Sequence, residues 1–183
     1  MMTLMTRTAK ATKLTAAKAC SATLIATALL AAVLLPASTE PNVRVAPMNS
    51  VGPRPVEEQT QSSVIRDYLL GWATMNDALS QNRADVLDTV FVGNAKDKLA
   101  QTVEQQQKLG IQTSYLPRSH DIKVIFYSPE GLSIQLVDDV EYDVAVKKDG
   151  HDIASDHVRA RYVAVLSPTE TRWKVRIFQG GSL

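Results

Sequence analysis

Only one cysteine, Cys20, occurs in the 183 residues, and it stands at the start of an apolar run near the N-terminus. The rest of the chain therefore has no disulfide, no cysteine metal site and no thiol nucleophile available, so its stability must come from burial. Histidine is nearly as scarce. His120, His151 and His157 are scattered without the spacing of a metal site. A Gly-rich phosphate loop, a dinucleotide fingerprint and a Ser-His-Asp spacing are all missing, and no cofactor is implied. Charge of one sign is missing as well: 20 Lys and Arg against 19 Asp and Glu give a net +1. That balance argues against a strongly basic nucleic-acid binder and against an acidic disordered tail. There is no internal repeat, and the length suits one ordinary globular domain rather than a multidomain enzyme.

What is present begins with a segregated N-terminus. Arg7, Lys10, Lys13 and Lys18 are the only charges in residues 1–35, which leaves 16 cations against 19 carboxylates for the remainder. The 21 residues between Lys18 and Glu40 are uncharged, and Ala22 to Leu35 is apolar apart from two threonines. Such a run serves either as a secretory signal core, with Pro36-Ala37-Ser38 as a cleavage region, or as a single membrane span over 19–37. In both cases the cations stay on the cytoplasmic side and everything after residue 37 is exported, to the periplasm or cell exterior or to the outer side of an inner membrane. Cys20 does not follow the run, so it does not read as a lipoprotein anchor. Residues 38–61, with Pro41, Pro47, Pro53 and Pro55, read as a Pro-rich linker that holds a domain, 62–183, away from a membrane.

The domain begins with helical spacing. Val64, Ile65, Tyr68, Leu69, Trp72, Met75 and Leu79 recur at steps of three and four behind Ser62-Ser63. A short helix over Ala84–Val92 is expected next, led by Asn82. A third helix follows, capped by Asn94, with Leu99, Val103 and Leu109 as its apolar stripe and Gly110 as its stop. After Pro117 the period becomes two. Strands are expected at His120–Tyr127, Leu132–Lys147, Ile153–Leu166 and Arg172–Phe178, an antiparallel four-stranded meander. The fold class is thus α+β, three helices packed on a curved sheet.

Matching apolar faces sets a register. A type I turn at Ser128-Pro129-Glu130-Gly131 pairs Phe126 with Leu132, Val124 with Ile134, Ile122 with Leu136 and His120 with Asp138. The second hairpin pairs Tyr142 with Val158, Val140 with Ala160 and Asp138 with Tyr162, which sets Glu141 against Arg159, Asp139 against Arg161 and Asp143 against His157 on the other face. Asp149-Gly150 looks like a two-residue turn that conflicts with this matching unless a bulge or a longer loop intervenes. The third pairs Leu166 with Trp173, Ala164 with Val175 and Tyr162 with Ile177. Arg159, Arg161, Arg172, Lys174 and Arg176 read as a solvated charged face rather than a nucleic-acid patch.

One constellation carries chemistry. These registers align His120, Asp138 and Tyr162 on an otherwise apolar inner face, where a desolvated carboxylate needs a partner and a His/Asp pair can act as general acid and base. Tyr68, Trp72 and Tyr142 would wall such a pocket. The plainer reading is a satisfied polar cluster.

Three helices, the first long and carrying Trp72, followed by a meander ending in Arg-Trp-Lys-Val-Arg-Ile, resemble the cystatin-like or NTF2-like cone fold over residues 62–180. With no first strand pair before the third helix, the chain looks most like the membrane-tethered periplasmic domains of VirB8-like secretion components. That resemblance implies a non-enzymatic assembly module with a protein partner, or a homodimer through a sheet face. The Asn-Pro-x-Gly signature of those proteins does not occur, so no binding residue carries over. The small-molecule branch, SnoaL-like and ketosteroid-isomerase-like, implies instead a His or Asp base inside the cone.

Overall fold

The computed structural model describes residues 40–47 and 54–182, all within the compact unit Ser38–Leu183. The expected leader or anchor, residues 1–37, and Cys20 lie outside the described residues. Among those described, no helix is long and apolar enough to cross a membrane.

A short strand β1 (Asn42–Val45) precedes helix α1 (Glu58–Gln81). A 3-10 helix (Ala84–Thr89) and helix α2 (Gly93–Leu109) lead into the strands β2 (Ile111–Tyr127), β3 (Ile134–Lys148), β4 (His151–Pro168) and β5 (Trp173–Ser182). They form one sheet in the order β1-β2-β3-β4-β5. The architecture is α+β as expected, but the sheet has five strands and is mixed. β1 runs parallel to β2 with Val43 opposite His120, inside the segment read as a linker. Four residues of weak alternation, flanked by prolines, carry too little pattern to announce a strand.

Val64, Tyr68, Trp72, Met75 and Leu79 line the buried side of α1. The helix starts four residues before Ser62, in a polar turn (Glu58 to Gln61) that shows no apolar period to reveal it in the sequence. Asn82 does not lead the next helix; it ends α1 in the left-handed conformation at φ 54°. The second helix is a 3-10 turn, with Val90 and Phe91 buried beyond it. Asn94 is not the cap of α2, whose preceding residue is extended Val92, while Gly110 stops that helix at φ 65° as expected. Leu109 is exposed rather than part of the stripe. At Gly71, α1 packs on Phe91 and Val175, each 3.5 Å from where a β-carbon would stand, an ordinary contact distance.

The β3/β4 register is the expected one at every pair from Asp138–Tyr162 to Asp143–His157. Asp149-Gly150 does form a two-residue turn, both residues at positive φ, and a bulge at Val146/Lys147 reconciles it with the matching. The other two hairpins differ. In β2/β3, Val124 faces Leu136, Ile122 faces Asp138 and His120 faces Val140, two residues from the expected pairing. The Ser128 hydroxyl accepts the N–H groups of Leu132 and Ser133. This lengthens the turn, so β3 begins at Ile134 and Leu132 is left exposed. A bulge at Val124/Phe126 then turns Phe126 outward and Tyr127 inward. β2 also starts earlier than expected, at Ile111, and passes Pro117 at a second bulge, where the missing N–H is tolerated. In β4/β5 a bulge at Val165/Leu166 sets Leu166 against Val175, Ala164 against Phe178 and Tyr162 against Gly180.

Candidate functional site

The inner face of the sheet meets α1 around two ionisable side chains, His120 from β2 and Asp138 from β3, both with 0% side-chain exposure. They are diagonal neighbours rather than direct opposites, and His120 Nδ1 lies 2.6 Å from Asp138 Oδ2. The same carboxylate oxygen accepts the Tyr68 hydroxyl at 2.9 Å. The Tyr68 oxygen in turn accepts the Trp72 indole N–H at 3.0 Å. Because an indole can only donate, the direction is fixed from Trp72 to Tyr68 to Asp138. Burial, followed by the Asp138 charge, pushes the Tyr68 phenol well above its ordinary range and holds it as a donor.

Tyr162 stands opposite Asp138 in register, yet its ring leaves the row. It lies across Gly180, where a β-carbon would be 2.7 Å from the ring, and packs on Trp72 and Phe178 with centroids 4.8 and 4.9 Å away. Burial raises its phenol above the ordinary range too. The hydrogen bond expected from Tyr162 therefore comes from Tyr68, read in the sequence as an apolar wall, and Trp72 is a donor as well as a wall. The signal was available: Tyr68 and Trp72, four apart on the buried stripe, each bring one polar atom that needs a partner. Tyr142 does line this region, 5.7 Å from Trp72 and 5.5 Å from Tyr115 between ring centroids.

Two atoms of the cluster, Asp138 Oδ1 and His120 Nε2, are buried without a hydrogen-bond partner among the described residues. Acid–base chemistry requires a substrate atom within about 3 Å of such groups. Here aromatic rings fill the space in front of them, Trp72 standing edge-on to the His120 ring at 5.4 Å. A groove of about 430 Å³ touches His120, but it is lined by Arg44, Ser119, Asp121, Glu141 and Arg159 on the opposite face, behind a side chain that is wholly enclosed.

That outer face is ionic at one end. Arg161 holds Asp139 through two bonds of 2.6 and 2.7 Å, Arg159 meets Glu141 at 2.6 Å, and Asp143 binds Arg118 and His157. Arg161 keeps the Asp139 carboxyl below its ordinary range, and Arg118, with His157, does the same for Asp143. Lys174 donates to the Asp88 carbonyl. His151 is exposed in the β3/β4 hairpin. Among the described residues no group of three or more metal-ligating side chains occurs.

Similar solved structures exist. The intermembrane-space region of the chloroplast protein ARC6 matches at a TM-score of 0.58 with 12% identity, over 71% of this chain and all of that one. A scytalone dehydratase-like protein from Novosphingobium aromaticivorans matches at 0.51 with 13% identity, over 69% of this chain and 89% of that one. The fold is NTF2-like. At such identities the likeness extends no further than the fold, an architecture that carries enzymes and non-enzymes alike. No protein-family model matches the chain, and no curated protein does.

Proposed function

We propose that the domain is a non-enzymatic binding or assembly module, exported behind the basic, apolar N-terminus and either released or anchored by it. One observation carries the reading: the cone is filled. His120 and Asp138 are fully enclosed behind Trp72, Tyr162 and Phe178, so the cluster acts as a polar pin between α1 and the sheet.

The docking surface is the outer face of the sheet, which carries a partly exposed apolar half beside its ionic half. Lys123 neighbours Val137 and Val163 in one row, and Phe126, Gln135, Val165 and Ile177 form the next. Phe126 and Ile177 are both more than a third exposed. Contiguous apolar surface with a polar surround is the mark of a protein contact. A protein partner or a second copy of the chain would cover it.

The test is a photo-crosslinker at Val163 of the full chain in its native envelope. A reproducible protein adduct supports the module, and a strictly monomeric, adduct-free chain overturns it. The two unpartnered atoms, Asp138 Oδ1 and His120 Nε2, favour a second reading, a pocket protein using the His120–Asp138 pair. If apolar ligands bind and Asp138→Asn abolishes that binding, this second reading replaces the first.

A further inference from the structure

β4 outruns the cover that β5 gives it. β3 pairs with it from His151 to Leu166, whereas β5 pairs only from Ala160 onward. The edge of β4 before Ala160 therefore has no strand beside it among the described residues. The bulge at Val146/Lys147 breaks its regularity near Asp152, so Ala154 to Arg159 is the regular open stretch. An unpaired edge is a template for another strand, and proteins that do not use one normally shield it.

The side chains along this edge define what would fit. Val158 faces Tyr142, and Asp156 faces Val144, so even-numbered residues lie on the inner side. There Val158, Val144, Tyr115 and Tyr162 are partly buried and packed against the core, which makes the inner side beside this edge apolar. Asp156 sits in that row, its Oδ1 accepting the backbone N–H of His157 at 2.8 Å and no cation paired to it among the described residues. A neighbouring strand that kept the faces matched would place an apolar residue beside Val158, a cation beside Asp156 and another apolar residue beside Ala154.

The same edge of a second copy cannot supply that pattern. In any face-matched antiparallel pairing of this edge with itself, even positions meet even positions, and residues 154, 156 and 158 include no cation. We infer that the β4 edge over Ala154–Arg159 accepts an extended segment of a different protein by strand addition, in line with β5 and bearing a Lys or Arg opposite Asp156. This rests on the assembly reading but uses a different surface from the outer sheet face.

The probe is the peptide Thr-Val-Thr-Lys-Thr-Val-Thr, titrated into isotope-labelled full-length chain, with a Glu version of the peptide as the control. The Lys peptide is expected to shift amide resonances of residues 154–160 and of the facing 142–146. It should bind about fivefold more tightly than the Glu peptide, the size of one cross-strand charge contrast. Asp156→Lys, an exposed change that leaves the core alone, should invert that preference. Absence of binding, shifts elsewhere on the domain, or equal affinity for both peptides in the wild-type and variant chains overturns the inference. If the Val163 adduct persists under any of those results, only the edge assignment fails; if it too is missing, the assembly reading fails with it.

Discussion

Asp138 and Asp139 are neighbours in the chain and belong to opposite worlds. Side chains alternate along β3, so Asp138 points under α1 with no solvent contact, while Asp139 points outward and meets Arg161 with both side chains well exposed. Both carboxylates make bonds shorter than 2.8 Å, to His120 and to Arg161. Their energetic meaning differs because water solvates one pair and not the other. Outside, attraction is screened and side-chain ordering offsets much of it. Inside, removal of one partner strands the other without hydration, so a buried polar pair is costly to break even where an apolar replacement of both would be tolerated.

The largest expected effect follows from the inner pair. Asp138→Ala should lower unfolding free energy by about 3–5 kcal/mol in urea titrations, while the double change Asp138→Leu with His120→Phe should lose far less or gain stability. A single change that costs almost nothing would erase the contrast between the two faces. Next comes the ring that closes the inner face. A β-carbon at Gly180 collides with Tyr162, whereas one at Gly181 meets nothing within 4 Å. Gly180→Ala should therefore cost about 1–3 kcal/mol, as overpacking does, and Gly181→Ala should leave the melting temperature nearly unchanged.

The smallest effect belongs to the outer row. Arg161→Ala should barely move the unfolding midpoint at neutral pH. The Asp139 carboxyl is held low by Arg161, so any stability it contributes is present above the ordinary carboxylate range and is lost as pH falls through the lowered value. The small difference between variant and wild type should accordingly vanish in acid, and a difference that grows in acid would reverse this assignment.

Much of the fold was legible where many residues repeat one signal. The seven apolar positions of α1 and the alternation across β3 and β4 specify which face is buried, and the three attractive pairs Asp139–Arg161, Glu141–Arg159 and Asp143–His157 fix one hairpin's register. The β3/β4 bulge was legible as the conflict between the Asp149-Gly150 turn and the strand matching. The bulges in β2/β3 and β4/β5, and the turn lengthened by the Ser128 hydroxyl, were not, because each is a local event that no turn dipeptide announces. The site reading suffered in proportion. His120 and Asp138 still meet because a diagonal neighbour is within reach of a long side chain, while Tyr162, displaced by the β5 register onto Gly180, yields its place to Tyr68.

By itself the sequence determined the segregated N-terminus, the change from a period near 3.6 to a period of two, and the presence of one carboxylate on an apolar face, since each follows from residue type and spacing alone. Only the tertiary structure decided that Tyr68 and Trp72 satisfy that carboxylate, that aromatic rings fill the cone, and that β5 stops short of the β4 edge. Those outcomes depend on how separate elements meet across long stretches of chain, where a shift of two residues in pairing exchanges one neighbour for another.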